Sequence, residues 1–542
     1  MTDVISLDGE KLTIEQLVRI ARDPSVNVVV ADDAIARIQK SAELIQRMVR
    51  EGKVVYGVTT GFGEFKRKVI PDVDDQKKLQ QNLLRSHAAG VGENTDVNDL
   101  SNYYPPEIVR AALATRLNAF AKGNSGIREV LVHFIEAMLN RGVIPLVPLR
   151  GSVGASGDLC PLSHLFVTLL GEGRYYTLPD KTFPDVTLPV FLGFDPAEVM
   201  LQQKEGLALI NGANFSSAML SLGVHDARVL ANTADVAAAI TLEALCGRPE
   251  AFDPRVHAAR RHEGQGIVAR RMLALVAGSR LLKKTKDVQD AYSLRCVPQV
   301  HGASRDAIKY AAMVAEIEIN SATDNPLFFP EEDNAYSAGN FHGQPVALAA
   351  DFLTIAIAEL ANISERRTQM LLDHNHNRKL PPCLSSDPGL NSGLMIAQYT
   401  AASLVSENKV LSHPASVDSI PTSANTEDHV SMSTHAARKM RTVLGNAQSV
   451  IAIELLSAAQ AADWRVVFDI DPEQSAPPAG ADFARRVEGK SASIAQSLAP
   501  ALRAPYLRIR KYVAPLTEDR MLSEDIRLIR ESVANGELAG ET

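Results

Sequence analysis

Between about residues 206 and 464 the chain consists of long segments that are rich in Ala, Leu and Ile and nearly free of proline. In residues 347–367, for example, apolar side chains would cover most of the circumference of an α-helix. A helix that is apolar on all sides has no solvent-facing stripe, so it lies in the interior of a large bundle. The sequence therefore predicts a mainly α-helical protein with a long central helical bundle.

The regions before and after these segments have a different pattern. Residues 1–205 combine a helix-like stretch at 31–50 with short β-branched runs at 28–30 and 54–55, which predicts a smaller α+β region. Residues 471–482 are rich in Pro, Asp and Ala and predict a loop, which amphipathic helices follow. We therefore predict three parts: an N-terminal region of residues 1–205, a central long-helix bundle of residues 206–475 and a C-terminal helical segment of residues 476–542.

The distribution of charge argues against nucleic acid as a partner. The formal net charge is −8, and basic residues are interspersed rather than gathered in the stripe that would neutralise a phosphate backbone. The N-terminal residues carry early acidic side chains and lack the basic flank and apolar run of a secretory signal, so we expect a cytoplasmic location. No stretch approaches the ~20 apolar residues of a membrane span, so we expect no membrane partner.

The cysteines and histidines show no pattern that is typical of a metal site. The cysteines are Cys160, Cys246, Cys296 and Cys383. Because they are scattered and form neither a CxxC pair nor a zinc-like spacing, we expect reduced, mostly buried thiols. His374 and His376 lie two residues apart in a polar run, which is more typical of a solvated loop than of a metal site. We therefore expect no bound metal.

Residues 151–158 carry the pattern with the clearest chemical meaning. Three glycines surround Ser156 within this segment, which allows the backbone to bend sharply. If the amide nitrogen of Gly157 attacks the carbonyl carbon of Ala155, a five-membered ring closes, and loss of two waters, one from the serine, leaves a methylidene conjugated to an imidazolone. The product is a strong electrophile. The alternative is a plain glycine-rich turn; a serine-hydrolase elbow needs Gly-x-Ser-x-Gly, whereas here Gly157 and Asp158 directly follow the serine.

Other segments match one known pattern in the same order along the chain. They cover residues 56–63, 85–92, 151–164, 204–212, 288–295, 324–327, 339–342 and 423–432. With these segments the chain resembles the ammonia-lyases and aminomutases that act on aromatic amino acids through the 4-methylideneimidazole-5-one (MIO) group. The resemblance implies an MIO formed autocatalytically from Ala155-Ser156-Gly157. It also implies a homotetramer in which each active site is assembled from three subunits.

The resemblance further implies roles in eliminating ammonia from a free α-amino acid. The reaction must remove a barely acidic β-proton and expel a poor leaving group, so it needs an activated amine and a well-placed base. Tyr56 is implied as the base, which requires that nearby cations or hydrogen bonds lower its pKa below the usual value of about 10. Asn211 is implied to hydrogen-bond the MIO carbonyl, and Tyr292 to act in MIO formation or proton relay. Arg295 is implied to bind the substrate carboxylate with two hydrogen bonds.

Two further positions bear on the choice of substrate. The resemblance implies that His87 and Glu427 face the imidazole of a histidine substrate, and members acting on phenylalanine or tyrosine usually carry Gln in place of Glu427. A buried carboxylate facing a phenyl ring would lack a partner, at a cost of about 1–3 kcal/mol. This favours elimination of ammonia from L-histidine to give trans-urocanate. Thr59 and Thr426 depart from the family pattern, and Thr59 and residues 85–87 are also similar to tyrosine aminomutases.

Three more residues are candidates for the substrate pocket, and three alternative functions remain open. Gln289 and Asn325 are candidate neighbours of the substrate, and Phe341 is a candidate pocket wall. The first two alternatives are a phenylalanine or tyrosine ammonia-lyase and a 2,3-aminomutase. The third is a catalytically silent scaffold with the same fold, which predicts loss of the special residues, whereas all of them are present here.

Overall fold

The structure, a computed structural model, describes residues 3–474, 476 and 482–540 and consists mainly of α-helices. The four longest helices among these residues are Asn214–Ala244, Val297–Glu318, Gln344–Leu372 and Ser433–Val467. No residue of Asn214–Ala244 is exposed, as expected for a helix that is apolar on all sides. The prediction of a mainly α-helical protein with long helices in its central part is confirmed.

The chain divides into two compact units, each built from separate chain segments. Unit 1 comprises Met1–His225, Ala311–Asp351 and Pro414–Arg438, and unit 2 comprises Asp226–Tyr310, Phe352–His413 and Lys439–Thr542. Four of the five boundaries between these segments fall inside the four longest helices. The division into residues 1–205, 206–475 and 476–542 stays a prediction. Its boundary at residue 475 lies outside the described residues, as does half of the predicted loop at 471–482.

Unit 1 begins with the expected α+β arrangement. Strand Val4–Leu7 pairs in parallel with strand Asn27–Val30, and helix Ile14–Arg22 connects them. Two antiparallel pairs follow in the same unit, Val143–Pro145 with Tyr175–Thr177 and Leu327–Phe329 with Asn334–Tyr336. The strand predicted at residues 54–55 is wrong, because the Val55 N–H donates to the Thr59 hydroxyl at 2.9 Å within a turn and not to a neighbouring strand.

The remaining helices are shorter. Those of unit 1 are Ile14–Arg22, Asp32–Arg50, Val73–His87, Pro106–Ala121, Glu129–Asn140, Leu159–Phe166, Leu188–Leu192 and Glu205–Ile210. Those of unit 2 are Pro254–Ala258, Glu263–Val276, Tyr292–Arg295, Met395–Leu411, Phe483–Val487, Ser491–Ala495, Pro500–Tyr512 and Leu522–Ala534. The last four of these confirm the expectation of helices in the C-terminal segment.

Two of the long helices are long and apolar enough to cross a membrane by length and composition alone. They are Gln344–Leu372 and Ser433–Val467, so the expectation that no such stretch exists is wrong. Their most apolar windows are 67% and 72% buried inside the protein, as in the core helices of soluble proteins. They also carry a buried ion pair in unit 2, in which the Arg367 guanidinium donates to both Glu454 carboxylate oxygens at 2.6 and 2.8 Å.

Candidate active site

Residues 151–158 form an irregular, sharply bent loop in unit 1. Ser156 has a φ of 52°, which non-glycine residues rarely adopt, and Gly154 and Gly157 have φ values of 78° and 82°. The Gly157 N–H donates back to the Gly154 carbonyl at 3.3 Å, so the turn is tight. The backbone is therefore already folded back on itself at the residues whose cyclisation the sequence predicts.

Gly212 holds the C-terminal half of this loop through its backbone. Its N–H donates to the Ser156 carbonyl at 3.1 Å, and its carbonyl accepts from the Asp158 N–H at 2.8 Å. A Cβ atom at residue 157 would clash with the Gly212 backbone, so only glycine fits there. The loop and the chain segment after helix Glu205–Ile210 are thus in direct backbone contact.

Asp158 anchors the end of the loop to the interior of unit 1. Its buried carboxylate accepts hydrogen bonds from the N–H and hydroxyl of Ser216 at 2.8 and 3.0 Å and from the Thr434 hydroxyl at 2.6 Å. Burial raises the pKa of Asp158 above its ordinary value, and these hydrogen bonds oppose the rise. On its N-terminal side the loop is held by the Met432 N–H, which donates to the Val153 carbonyl at 2.9 Å.

Asn211 lies next to this loop, at the C-terminal end of helix Glu205–Ile210. Its side chain is 2% exposed, and its Oδ1 atom has no hydrogen-bond partner among the described residues. An unpartnered buried amide oxygen is costly, so such groups in folded proteins call for a further partner. The position agrees with the role predicted for Asn211, which stays a prediction.

The Glu427 carboxylate makes a direct contact with Ser156. The Ser156 hydroxyl donates to Glu427 Oε1 at 3.2 Å, and the Thr422 hydroxyl donates to Oε2 at 2.9 Å. Residues 422 and 427 also pair through both of their backbone amides, which fixes the turn that carries the carboxylate. A negatively charged group therefore lies beside the predicted electrophile.

The pKa of Tyr56 departs from the sequence expectation. Burial raises it above its usual value, the Gly63 N–H that donates to the phenol oxygen at 3.2 Å lowers it, and the negative charge of Glu427 raises it. The net shift is upward, whereas the sequence predicted a lowered pKa. The reason is that Tyr56 has one hydrogen-bond donor but no cation among the groups that shift its pKa.

His87 and Glu427 line one cavity of about 270 Å³ in unit 1, together with Ala155. His87 ends helix Val73–His87, where its Nδ1 atom lies 3.0 Å from the Ser86 hydroxyl. Burial lowers the pKa of His87 below its ordinary value, although the Leu83 backbone and the charge of Glu427 raise it. The lowered pKa favours the neutral imidazole, in which one nitrogen donates while the other accepts.

Asn325 and Phe341 also belong to unit 1, but no hydrogen bond among the described residues links them to Ser156 or Glu427. The Asn325 side-chain oxygen accepts from the Ala338 N–H at 2.8 Å and so holds a neighbouring loop. Phe341 is half-buried, and the residue after it, His342, lies 3.2 Å from the His429 carbonyl. Their predicted contacts with substrate stay predictions.

Gln289, Tyr292 and Arg295 belong to unit 2. Gln289 and Tyr292 are exposed, and the Arg295 guanidinium lies over the Tyr292 ring, 4.8 Å from its centroid. The Arg295 Nε atom is buried without a hydrogen-bond partner among the described residues. The three residues therefore lie on one short segment, and the roles predicted for them stay predictions.

Comparisons with known proteins decide the family. The sequence profile described as aromatic amino acid lyase matches residues 12–486. The chain belongs to this family. The resemblance inferred from the sequence motifs is thereby confirmed.

Individual relatives of this lyase match over nearly its whole length. A protein named histidine ammonia-lyase from Caldanaerobacter subterraneus is 47% identical over 98% of this chain and 97% of its own length. The crystal structure of histidine ammonia-lyase from Trypanosoma cruzi has a TM-score of 0.84 and 39% identity, covering 99% of this chain and 94% of that one. Tyrosine aminomutase from Streptomyces globisporus has a TM-score of 0.85 and 38% identity, covering 98% and 97%.

The lyase also holds its loop with residues that the sequence analysis did not single out. The Ser431 hydroxyl is 3.5 Å from the Gly154 carbonyl, and the Thr434 hydroxyl is 2.9 Å from that of Ser152. Ser431 lies within the segment 423–432 that matched the family pattern, but a pattern match does not reveal which of its residues contact another segment. The sequence therefore marked this segment as part of the family pattern but could not predict its contacts with the loop at residues 151–158.

Metal ligation receives no support from the described residues of this lyase. Within residues 3–474, 476 and 482–540, no group of three or more His, Cys, Asp or Glu side chains could hold a metal ion. His376, which the sequence analysis considered for this role, lies with Nδ1 2.6 Å from an Asp373 carboxylate oxygen. That hydrogen bond closes a loop at the end of helix Gln344–Leu372.

Proposed function

We propose that this protein is a histidine ammonia-lyase, which converts L-histidine to trans-urocanate and ammonium. The observation that carries the proposal is the Glu427 carboxylate, which lies 3.2 Å from the Ser156 hydroxyl and shares a cavity with His87. A carboxylate there suits the N–H of an imidazole and leaves a phenyl ring without a complementary group. The relatives named histidine ammonia-lyase, which are about as long as this chain, support the same substrate.

We propose further that Ala155, Ser156 and Gly157 form an MIO group. Three features fit it: the left-handed turn at Ser156, the steric demand for glycine at residue 157, and the unpartnered amide oxygen of Asn211 nearby. An MIO group at these residues would supply an electrophilic carbon able to activate the substrate amine as a leaving group. Asn211 would then stabilise negative charge that develops on the ring carbonyl.

The other residues would bind the substrate and move its proton. Glu427 accepts the imidazole N–H, while Arg295 pairs with the substrate carboxylate and Gln289 and Asn325 contribute further polar contacts. The Tyr56 oxygen takes the β-proton as the bond between Cα and nitrogen breaks. One C–H bond and one C–N bond are lost and one C=C bond forms, so the products are urocanate and ammonium. Tyr292 would relay protons, and Phe341 would form part of the pocket wall.

A titration of Tyr56 tests its role as the base. Because burial raises its pKa, we expect the midpoint of Tyr56 ionisation to lie above pH 10 in the free enzyme. Below that midpoint, its small share of phenolate should grow about tenfold for each pH unit. The rate that depends on this base should rise with pH accordingly. The measurement is the near-ultraviolet phenolate spectrum of the enzyme minus that of Tyr56→Phe. A transition of Tyr56 below pH 10 would contradict the prediction and indicate a cation from outside the chain.

The proposed assembly is a homotetramer in the cytoplasm. Its support within unit 2 is a set of large apolar side chains that are exposed on the helices, which are Phe352, Ile355, Ile396, Tyr399 and Val410. Exposed apolar groups of this size on long helices are typical of surfaces that another protein subunit covers. By resemblance, each active site would be assembled from three subunits.

Substrate preference is tested by offering L-histidine, L-phenylalanine and L-tyrosine in parallel and following the ultraviolet absorbance of the acrylate products. We expect urocanate formation to exceed cinnamate and coumarate formation by at least about 10³-fold in kcat/KM, because the site is built around a hydrogen bond to the substrate. Cinnamate or coumarate as the main product would contradict histidine as substrate. A β-amino acid as the main product would indicate an aminomutase.

A further inference from the structure

The segment that carries Gln289, Tyr292 and Arg295 has little regular structure of its own. Residues 284–291 are neither helix nor strand, and the helix that follows, Tyr292–Arg295, is a single turn. Val288 is 92% exposed and Tyr292 is 72% exposed, so few apolar contacts fix this segment. Its geometry must therefore come from specific polar contacts.

One of these contacts comes from the Arg378 guanidinium. Its Nη2 atom donates to Asp290 Oδ1 at 2.7 Å and to Asp287 Oδ2 at 3.1 Å, so one side chain holds both ends of the turn around Val288. Its Nη1 atom donates to the Leu245 carbonyl at 2.5 Å. The contact is well shielded, because the Asp290 side chain is 1% exposed and that of Arg378 is 13% exposed.

Asp290 has a second partner on the opposite side. The Arg248 N–H donates to Asp290 Oδ2 at 2.6 Å, so both oxygens of this carboxylate are engaged. Both oxygens of the buried Asp290 carboxylate accept hydrogen bonds. Removal of the Arg378 cation would leave the negative charge of Asp290 without this partner, which favours movement of the segment towards solvent. Any such movement displaces Ala291, whose carbonyl accepts from the N–H of Arg295 at 3.0 Å.

Arg378 is itself placed by the polar loop that follows helix Gln344–Leu372. The Asp373 carboxylate accepts from His376 Nδ1 at 2.6 Å and from the Asn375 N–H at 3.0 Å. The Asn377 side chain donates to the Leu371 carbonyl at 3.1 Å, and the Asn377 backbone carbonyl accepts from the buried Arg465. These contacts hold the loop on both sides. Arg378 follows them directly and has a left-handed backbone conformation with a φ of 59°.

We propose that Arg378 is a positioning residue for substrate binding, which fixes the segment 287–295 so that Arg295 can pair with the substrate carboxylate. The inference rests on the proposed function, because it takes Arg295 as the carboxylate-binding residue. Residues 373–378, which the sequence predicted to be a solvated loop, would act as a brace for this segment. Arg378 does not touch substrate, so its effect would fall on substrate affinity more than on the chemical step.

The test is the variant Arg378→Ala, with Arg378→Lys as the conservative substitution. Arg527→Ala is the matched control, since Arg527 is an exposed arginine of unit 2 that pairs with Glu524 and Glu531. We expect Arg378→Ala to raise KM for L-histidine by at least about tenfold with a smaller change in kcat. Arg378→Lys should fall between the alanine variant and the wild type, because the single nitrogen of a lysine keeps a positive charge near the two carboxylates but cannot also donate to the Leu245 carbonyl as the second guanidinium nitrogen does.

Hydrogen–deuterium exchange of residues 284–295 supplies a measurement that needs no substrate. We expect faster exchange there in Arg378→Ala, unchanged exchange in Arg527→Ala, and an unchanged loss of two waters in the intact mass. Asp290→Asn should reproduce the same pattern, and if Arg378→Ala fails to fold, Asp287→Asn removes one of the two contacts more gently.

The outcomes separate this inference from the proposed function. An unchanged KM or unchanged exchange in a folded Arg378→Ala protein would overturn the inference and leave the function intact. If the wild type instead prefers another amino acid, the proposed substrate fails, and the same KM and exchange comparison with that amino acid still decides whether Arg378 positions the segment.

Discussion

Substitution of Ser156 by alanine is expected to lower kcat by about three orders of magnitude or more. The reason is that the proposed electrophile takes its methylidene carbon from this side chain, and the remaining groups can only bind substrate and accept a proton. The intact mass should show the same event, because the wild-type chain should be lighter than its sequence by two water molecules. The alanine variant should lack at least the water that the serine loses.

A serine in the same segment provides the control for this substitution. Ser163 lies in helix Leu159–Phe166, where its hydroxyl donates to the Leu159 carbonyl at 2.8 Å and to no group of the loop. Ser163→Ala should therefore keep the two-water loss and the activity. A fully active Ser156→Ala protein would disprove the proposed cofactor, whatever the substrate.

Substitution of Glu427 by glutamine is expected to lower kcat/KM for L-histidine by about 10²- to 10³-fold. Glutamine keeps the size of the side chain and removes the negative charge, so a charge-assisted hydrogen bond to the imidazole N–H becomes a neutral one. The selectivity for L-histidine over L-phenylalanine should fall as well, since the phenyl ring no longer meets a charge. Both values come from initial rates of acrylate formation for the two amino acids.

Asp428 offers a control for this second substitution. It is the next residue in the chain and is exposed, whereas Glu427 is half-buried. Asp428→Asn removes the same charge without touching the cavity, so its kcat/KM should stay within about threefold of the wild type, as for most exposed charges. Equal effects of the two substitutions would mean that long-range charge, and not a contact with substrate, sets the preference.

The long helices were predictable because long, nearly proline-free segments rich in Ala, Leu and Ile favour helices that are apolar on all sides. The turn after residues 54–55 was not, because Val54 and Val55 favour strands. In the structure the Val55 N–H donates to the Thr59 hydroxyl, and the Val55 carbonyl accepts from the backbone N–H groups of residues 58 and 59. Whether a backbone N–H bonds to a nearby side chain or to a neighbouring strand depends on three-dimensional geometry, which the residue types alone do not predict.

The residues of the candidate site were predictable because they lie in motifs that follow one another in a fixed order along the chain. The motifs located Ser156 and Glu427, but their contact at 3.2 Å joins residues 271 positions apart and emerges only from the fold. The shift of the Tyr56 pKa was predicted in the wrong direction. The expected role as a base requires a lowered pKa, whereas burial and the charge of Glu427 raise it in the structure. The loop that follows Asp373 shows the same limit, since its polar residues predicted a solvated loop but not the contacts of Asp373 with Asn375 and His376.

The alternation of the two units along the chain restricts how this protein can change over evolutionary time. Each unit is assembled from three separate stretches of sequence, so no single cut in the gene yields either one. Recombination therefore cannot exchange one unit between relatives as a cassette, in contrast to proteins whose domains follow one another. New substrate preferences in this lineage are expected to arise through point substitutions in short loops, such as the turn that carries Glu427, rather than through shuffling of whole domains.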